Sequence, residues 1–129
     1  MKTLALILTI AATILFTMTA EAAQPAKTKK LQHVVAFKFK DTASQADIEK
    51  VITEFRGLQK KIKEIKGFEW GTNNSPEKHN KGTTHGFILT FKSEADRDIY
   101  LKHPEHEKFG KLVGPLLADV FVIDFWAQK

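Results

Sequence analysis

The stretch Leu31-Gln32-His33-Val34-Val35-Ala36-Phe37-Lys38-Phe39-Lys40 alternates without interruption. Side chains along an extended chain point to opposite sides with a period of two. Leu31, His33, Val35, Phe37 and Phe39 therefore share one face, and Gln32, Val34, Ala36, Lys38 and Lys40 the other. The first set is apolar apart from one imidazole, which predicts a strand with a buried face. What covers that face is written in the residues that follow.

Asp41 to Ala43 break the alternation, and Ser44 with Asp47 three residues on forms a capping-box start for a helix. Ile48, Val51, Ile52, Phe55, Leu58, Ile62 and Ile65 then recur at three- and four-residue spacing. This predicts a long amphipathic helix, polar outside and stopped by Gly67 as a left-handed cap. A short strand follows at Phe68 to Thr72, then a polar loop from Asn73 to Gly82 and a third strand from Thr83 to Phe91. Ser93 and Asp96 open another helix, which His103-Pro104 ends, and Pro104 starts a further short helix to Val113. After Gly114-Pro115, Val120 to Trp126 (VFVIDFW) is a final strand.

The order predicts an α+β domain with a ferredoxin-like, four-stranded antiparallel sheet and helices on one face. Several strands are apolar on both sides: Val34 and Ala36, Ile88, and either Val120 with Val122 or Phe121 with Ile123 and Phe125. A second apolar face left in water is a large exposed patch. Two sheets packed together in a homodimer remove it.

Upstream, Met1-Lys2 gives a positive start, Leu4 to Phe16 is almost unbroken apolar, and Ala20-Glu21-Ala22 fits a cleavage site. This predicts a signal peptide over residues 1–22, a flexible leader over 23–30 and a folded domain over 31–128. Extended to Ala20, the apolar run approaches the ~17 residues needed to span a bilayer. Four threonines within it and the A-x-A site favour cleavage, so no stable membrane insertion is expected in the mature chain. The short form reads as bacterial, with a periplasmic or secreted product.

With 129 residues, the chain has room for one small domain. The absence of Cys excludes a disulfide scaffold, a thiolate nucleophile and a Cys-based zinc or iron–sulfur site. A small exported domain without cross-links gains from oligomerisation. The net charge of +5 is spread over helix exteriors and the leader, with no basic stripe, and nucleic acid is not an expected partner. There is neither a Gly-rich phosphate loop nor a G-x-S-x-G elbow.

Five ordered segments, HVVAFKFK (33–40), FEWG (68–71), KGTTHGF (81–87), YLKHPEH (100–106) and VIDF (122–125), resemble the stress-responsive dimeric α/β-barrel domain family, Dabb. The resemblance implies a homodimer whose sheets close into a barrel. It also implies a pocket between sheet and helices in each subunit, taking a small apolar ligand, and a stress-associated role. An alternative follows from a plant polyketide cyclase of the family, which performs an intramolecular aldol condensation without a cofactor. Its catalytic Tyr and His in Y-x-x-H-P-x-H fall on Tyr100 and His106, and its first-strand pocket histidine falls on His33. At a helix position where that cyclase has a pocket tyrosine, this chain has Phe55. The candidate pocket is thus His33, Val35, Phe37, Phe55, His85 and His103, with Tyr100 and His106 as the candidate catalytic pair.

In chemical terms, a neutral imidazole at His106 accepts a proton from an acidic carbon while Tyr100 donates to an oxygen gaining negative charge. The competing reading is structural: His103 caps the helix before Pro104, His106 pins the next helix to the sheet, and His33 and His85 are satisfied core histidines. His103 and His106 with His33 or His85 would make an all-imidazole metal set, but the proline turn departs from the i, i+4 zinc spacing. Asp41, Asp124, Asn73 and Asn74 lack the spacing of a magnesium or calcium site. No metal or cofactor is expected.

Overall fold

The computed structural model describes residues 28–128. The expected signal peptide and most of the leader lie outside these residues. Four strands, β1 (Leu31–Phe39), β2 (Gly67–Thr72), β3 (His85–Phe91) and β4 (Leu117–Trp126), form one antiparallel sheet in the order β2-β3-β1-β4. Helices α1 (Gln45–Lys61), α2 (Glu94–Lys102) and α3 (Pro104–Val113) carry the buried residues that pack on it, and a 3-10 turn at Gly114–Leu116 leads into β4. This is the ferredoxin-like arrangement that the order of elements predicts.

The strand that decides the fold lies inside the sheet, between β3 and β4. Leu31, His33, Val35 and Phe37 are buried, and Gln32, Val34 and Ala36 on the other side are half-buried. Above the buried face, Phe55 stacks on Phe109 at 4.5 Å between ring centroids and meets Phe87 at 4.7 Å and Phe37 at 5.9 Å. One aromatic cluster thus joins α1, α3, β1 and β3. Rings packed off-centre in this way add favourable contacts to the area they bury.

Helix α1 begins as its sequence predicts: Asp47 N–H donates to Ser44 Oγ while Ser44 N–H donates to the Asp47 carboxylate. Its end differs. The helix stops at Lys61, and Ile62 is already extended, with φ −122° and ψ 103°. Ile62 and Ile65 remain fully part of the core, at 0% and 7% exposed, but by way of a turn in which Ile65 N–H donates to the Ile62 carbonyl. Three-residue spacing does not distinguish a last helical turn from such a turn. Gly67 is therefore not a cap but the first residue of β2, opposite Thr90. A Cβ there would lie 3.1 Å from Thr90 Oγ1, so glycine permits a close approach between the strands.

Pairing also decides which side of β4 faces the helices. Val122 lies opposite Val35 and Val120 opposite Phe37, so these two share the helix side. Phe121, Ile123 and Phe125 fall on the open side. Both sets are about half exposed, from 46% at Phe125 to 56% at Phe121, because β4 is an edge strand.

Candidate functional site

His33 sits mid-strand on β1 and points to the helices, and Asp124 is its direct partner on β4. Asp124 is the one acid in the otherwise apolar run VFVIDFW. The carboxylate Oδ1 accepts a short hydrogen bond from His33 Nδ1 at 2.6 Å, as expected where the acceptor is ionised. With Nδ1 committed as donor, Nε2 is the second nitrogen of this ring. On the other carboxylate oxygen, Arg97 Nη1 donates to Asp124 Oδ2 at 3.1 Å from helix α2.

Tyr100 follows Arg97 by three residues, so both side chains emerge on neighbouring positions of one face of α2. Its ring packs edge-on to His33 at 5.7 Å and meets Phe91 at 5.2 Å. At 1% exposure Tyr100 is among the most buried side chains. Burial first, and then the nearby charge of Asp124, push its phenol well above the ordinary tyrosine range. It is consequently a proton-bearing donor at any physiological pH.

His106 approaches the same ring from α3, with 4.3 Å between centroids. Its Nδ1 lies 3.2 Å from the Leu101 carbonyl oxygen, which can only accept, so Nδ1 carries the hydrogen and Nε2 is left as a lone pair. Burial lowers the His106 pKa below its usual value of 6.5, and the neighbouring imidazoles of His33 and His103 lower it further, against an opposing effect of the Leu101 bond. The ring is half-buried and neutral near pH 7. His33, Tyr100 and His106 thus meet from three separate elements.

The turn that separates α2 from α3 makes this possible. His103 closes α2 through its backbone N–H on the Tyr100 carbonyl, and its side chain Nδ1 accepts from Glu105 N–H at the start of α3. Its side chain caps the helix that follows, and not, as expected, the last carbonyls of the one before. Pro104 at the first position of α3 has no N–H to satisfy. The chain turns within a few residues, setting the Tyr100 and His106 rings against each other across the break, tilted by 47°.

The other expected pocket residues go elsewhere. Val35, Phe37 and Phe55 are 2–5% exposed and close on one another and their neighbours as core. His85 lies opposite Phe37, four strand positions from Leu89, the partner of His33. It contacts Phe39 and Trp70, and burial lowers its pKa. It also lines a concavity of about 760 Å³ on a different part of the sheet, with Gly71, Gly86, Ala36, Ile88 and Phe121. A smaller hollow lies between α1 and α3, around Glu54, Leu58 and Phe109. Neither includes Tyr100 or His106. His106 is the most exposed of the three clustered side chains. Among the described residues, no three His, Cys, Asp or Glu side chains are grouped to hold a metal ion.

Sequence reasoning missed two members of the cluster, Arg97 and the pairing role of Asp124. A lone acid inside an apolar strand was the available signal for Asp124, since a buried charge needs a partner. For Arg97 the signal was its i, i+3 relation to Tyr100.

Comparison with known proteins agrees with the fold. The chain is 26% identical to olivetolic acid cyclase of Cannabis sativa over 99 residues, covering 77% of this chain and 98% of that one. It superposes on the hydroxynitrile lyase of Passiflora edulis with a TM-score of 0.75 at 28% identity, covering 79% and 96% of the two chains. A dimeric ferredoxin-like protein of unknown function from Thermobifida fusca shares the fold, with a TM-score of 0.68 at 24% identity over 78% and 93%. The pattern that defines the stress responsive A/B barrel domain matches residues 31–127. The chain belongs to the stress responsive A/B barrel domain family, Dabb.

Proposed function

We propose that this protein is a cofactor-independent lyase or cyclase that makes or breaks a bond next to a carbonyl group by proton transfer. The observation that carries the reading is the His106–Tyr100 pair: an unprotonated Nε2 and a phenol that stays protonated, with rings 4.3 Å apart. In the proposed step, His106 Nε2 takes a proton from a carbon beside the carbonyl. The C–H electron pair moves to the oxygen, and the Tyr100 hydroxyl donates a hydrogen bond to the enolate that forms. The proton then returns from His106 to carbon or to the product oxygen, so no net oxidant or reductant is needed. Relatives named as a cyclase and a lyase support this class of reaction.

The cluster is closely packed, and His106 is its most exposed member. This favours small substrates. A purely binding pocket between sheet and helices has less support, because Val35, Phe37 and Phe55 fill that space with one another.

The working form is a homodimer. Phe121, Ile123 and Phe125 are 46–56% exposed at alternating positions on the open side of β4, beside the half-buried Val34 and Ala36 of β1. Monomeric proteins rarely leave a contiguous apolar patch of this kind in water. The dimeric protein of Thermobifida fusca supports the same reading. Export, with a stress-associated role, rests on the N-terminal pattern and the family; a mature chain beginning at Ala23 by intact mass would support it.

The activity is tested by incubating purified protein in chelator-containing buffer with a panel of small β-dicarbonyl and β-hydroxycarbonyl compounds. Turnover by the wild type that is lost in Tyr100→Phe is the expected result. Equal product from both proteins would contradict it.

A further inference from the structure

Asp124 stands on an edge strand, and its carboxylate is 24% exposed. A carboxylate in that position rotates easily and offers either oxygen to either nitrogen of a facing imidazole. Two groups from α2 remove that freedom. Asp98 Oδ1 accepts from both Nε and Nη2 of Arg97, at 3.1 and 3.0 Å, which fixes the guanidinium plane. Nη1 is then directed to Asp124 Oδ2 at 3.1 Å, leaving Oδ1 for His33 Nδ1 at 2.6 Å. The chain of contacts runs from Asp98, half exposed on the helix surface, to a ring that is 5% exposed.

We propose that Arg97 is a positioning residue that acts through Asp124 to hold His33 as its Nδ1–H tautomer, with Nε2 as the nitrogen presented to a reactant. The tautomer of a buried imidazole follows the hydrogen bond made by its other nitrogen. Arg97 also offsets the Asp124 charge. The titratable groups near His33 are Asp124 from β4, Tyr100 from α2 and His106 from α3, and Phe91 of β3 packs edge-on to the ring. None of the others hydrogen-bonds Asp124, so no second residue substitutes for Arg97. The catalytic meaning of this assignment rests on the proposed acid–base function; the tautomer does not.

The test is long-range nitrogen–proton NMR of the imidazole rings in the 15N-labelled protein at pH 7.5, with His33 assigned by His33→Gln. In the wild type and in Arg97→Lys, the His33 nitrogens should show the separated shifts of a single Nδ1–H tautomer. In Arg97→Met they should move towards the averaged shifts of a tautomer mixture, while His79, His85 and His103 keep theirs. Asp98→Asn, which loosens the guanidinium without removing it, should produce a smaller change in the same direction and serves if Arg97→Met fails to fold. A wild-type His33 pattern in both Arg97→Met and Asp98→Asn would overturn the proposal. A shifted tautomer in a protein without turnover on any carbonyl substrate would sink the catalytic reading and leave the Arg97 assignment standing.

Discussion

His106 faces Tyr100 across a proline turn, 4.3 Å ring to ring, with its Nδ1–H donated to the carbonyl of Leu101, the residue after Tyr100. The base and the acid are thus held by one short piece of backbone, and neither depends on a mobile loop for its orientation.

Removing either group should separate chemistry from folding. Tyr100→Phe deletes one oxygen from a tightly packed ring and should cost about 10²- to 10³-fold in kcat, the range for losing a hydrogen-bond donor to a developing anion. His106→Gln should cost about 10²- to 10⁴-fold. Steady-state rates checked against circular dichroism of each variant would show whether the loss is chemical.

The acid limb of kcat/KM should lie below pH 6.5. Burial and the imidazoles of His33 and His103 depress the His106 value, so the base form persists as pH falls through the ordinary histidine range. The same sign governs stability. The unfolded chain takes up the proton first, so this stability contribution is present above about pH 6.5 and is lost as pH falls through the lower folded value. His85, lowered by burial, acts in the same direction. A pH–rate profile and melting curves at pH 7.5 and 5.5 check both, and His106→Gln should flatten part of the stability change.

Phe121→Asp should convert a dimer to a monomer. The side chain is 56% exposed on the open side of an edge strand, so the substitution does little to the core. It puts a charge into an apolar seam, which is costly without a partner. Light scattering should give twice the chain mass for the wild type and one chain mass for the variant.

Gly67→Ala should destabilise the fold by about 1 kcal/mol, or about 5 °C in Tm. Thr90 cannot easily retreat from the added methyl, because its hydroxyl donates to Gln32 Oε1 at 2.6 Å. Thermal unfolding measures this directly, and an unchanged Tm would show that the strands can part without cost.

The alternation at Leu31–Lys40 and the Ser44–Asp47 capping box made the strand order and the helical cover readable from local chemistry. The end of α1 was not, because Ile62 and Ile65 satisfy a helical period while being buried by a turn. The site was half legible. Tyr100 and His106 are close in sequence, and a resemblance marked them together with His33. The bond from His33 to Asp124 depends on strand register, which joins residues 91 positions apart. His85 shares a sheet face with His33, yet alternation reveals the face and not the distance along it. Phe37 and Phe55 have the composition of a pocket wall, and only packing shows that they fill the space instead.

Deuterium incorporation from D2O at the α-carbon of small ketones, followed by proton NMR, tests the central claim most directly. It reads the proton transfer without requiring the natural substrate. Exchange accelerated by the wild type over buffer with equal free imidazole, and reduced to that background in both His106→Gln and Tyr100→Phe, is the predicted result. Exchange as fast in His106→Gln as in the wild type, or none above background in the wild type, would contradict the acid–base account.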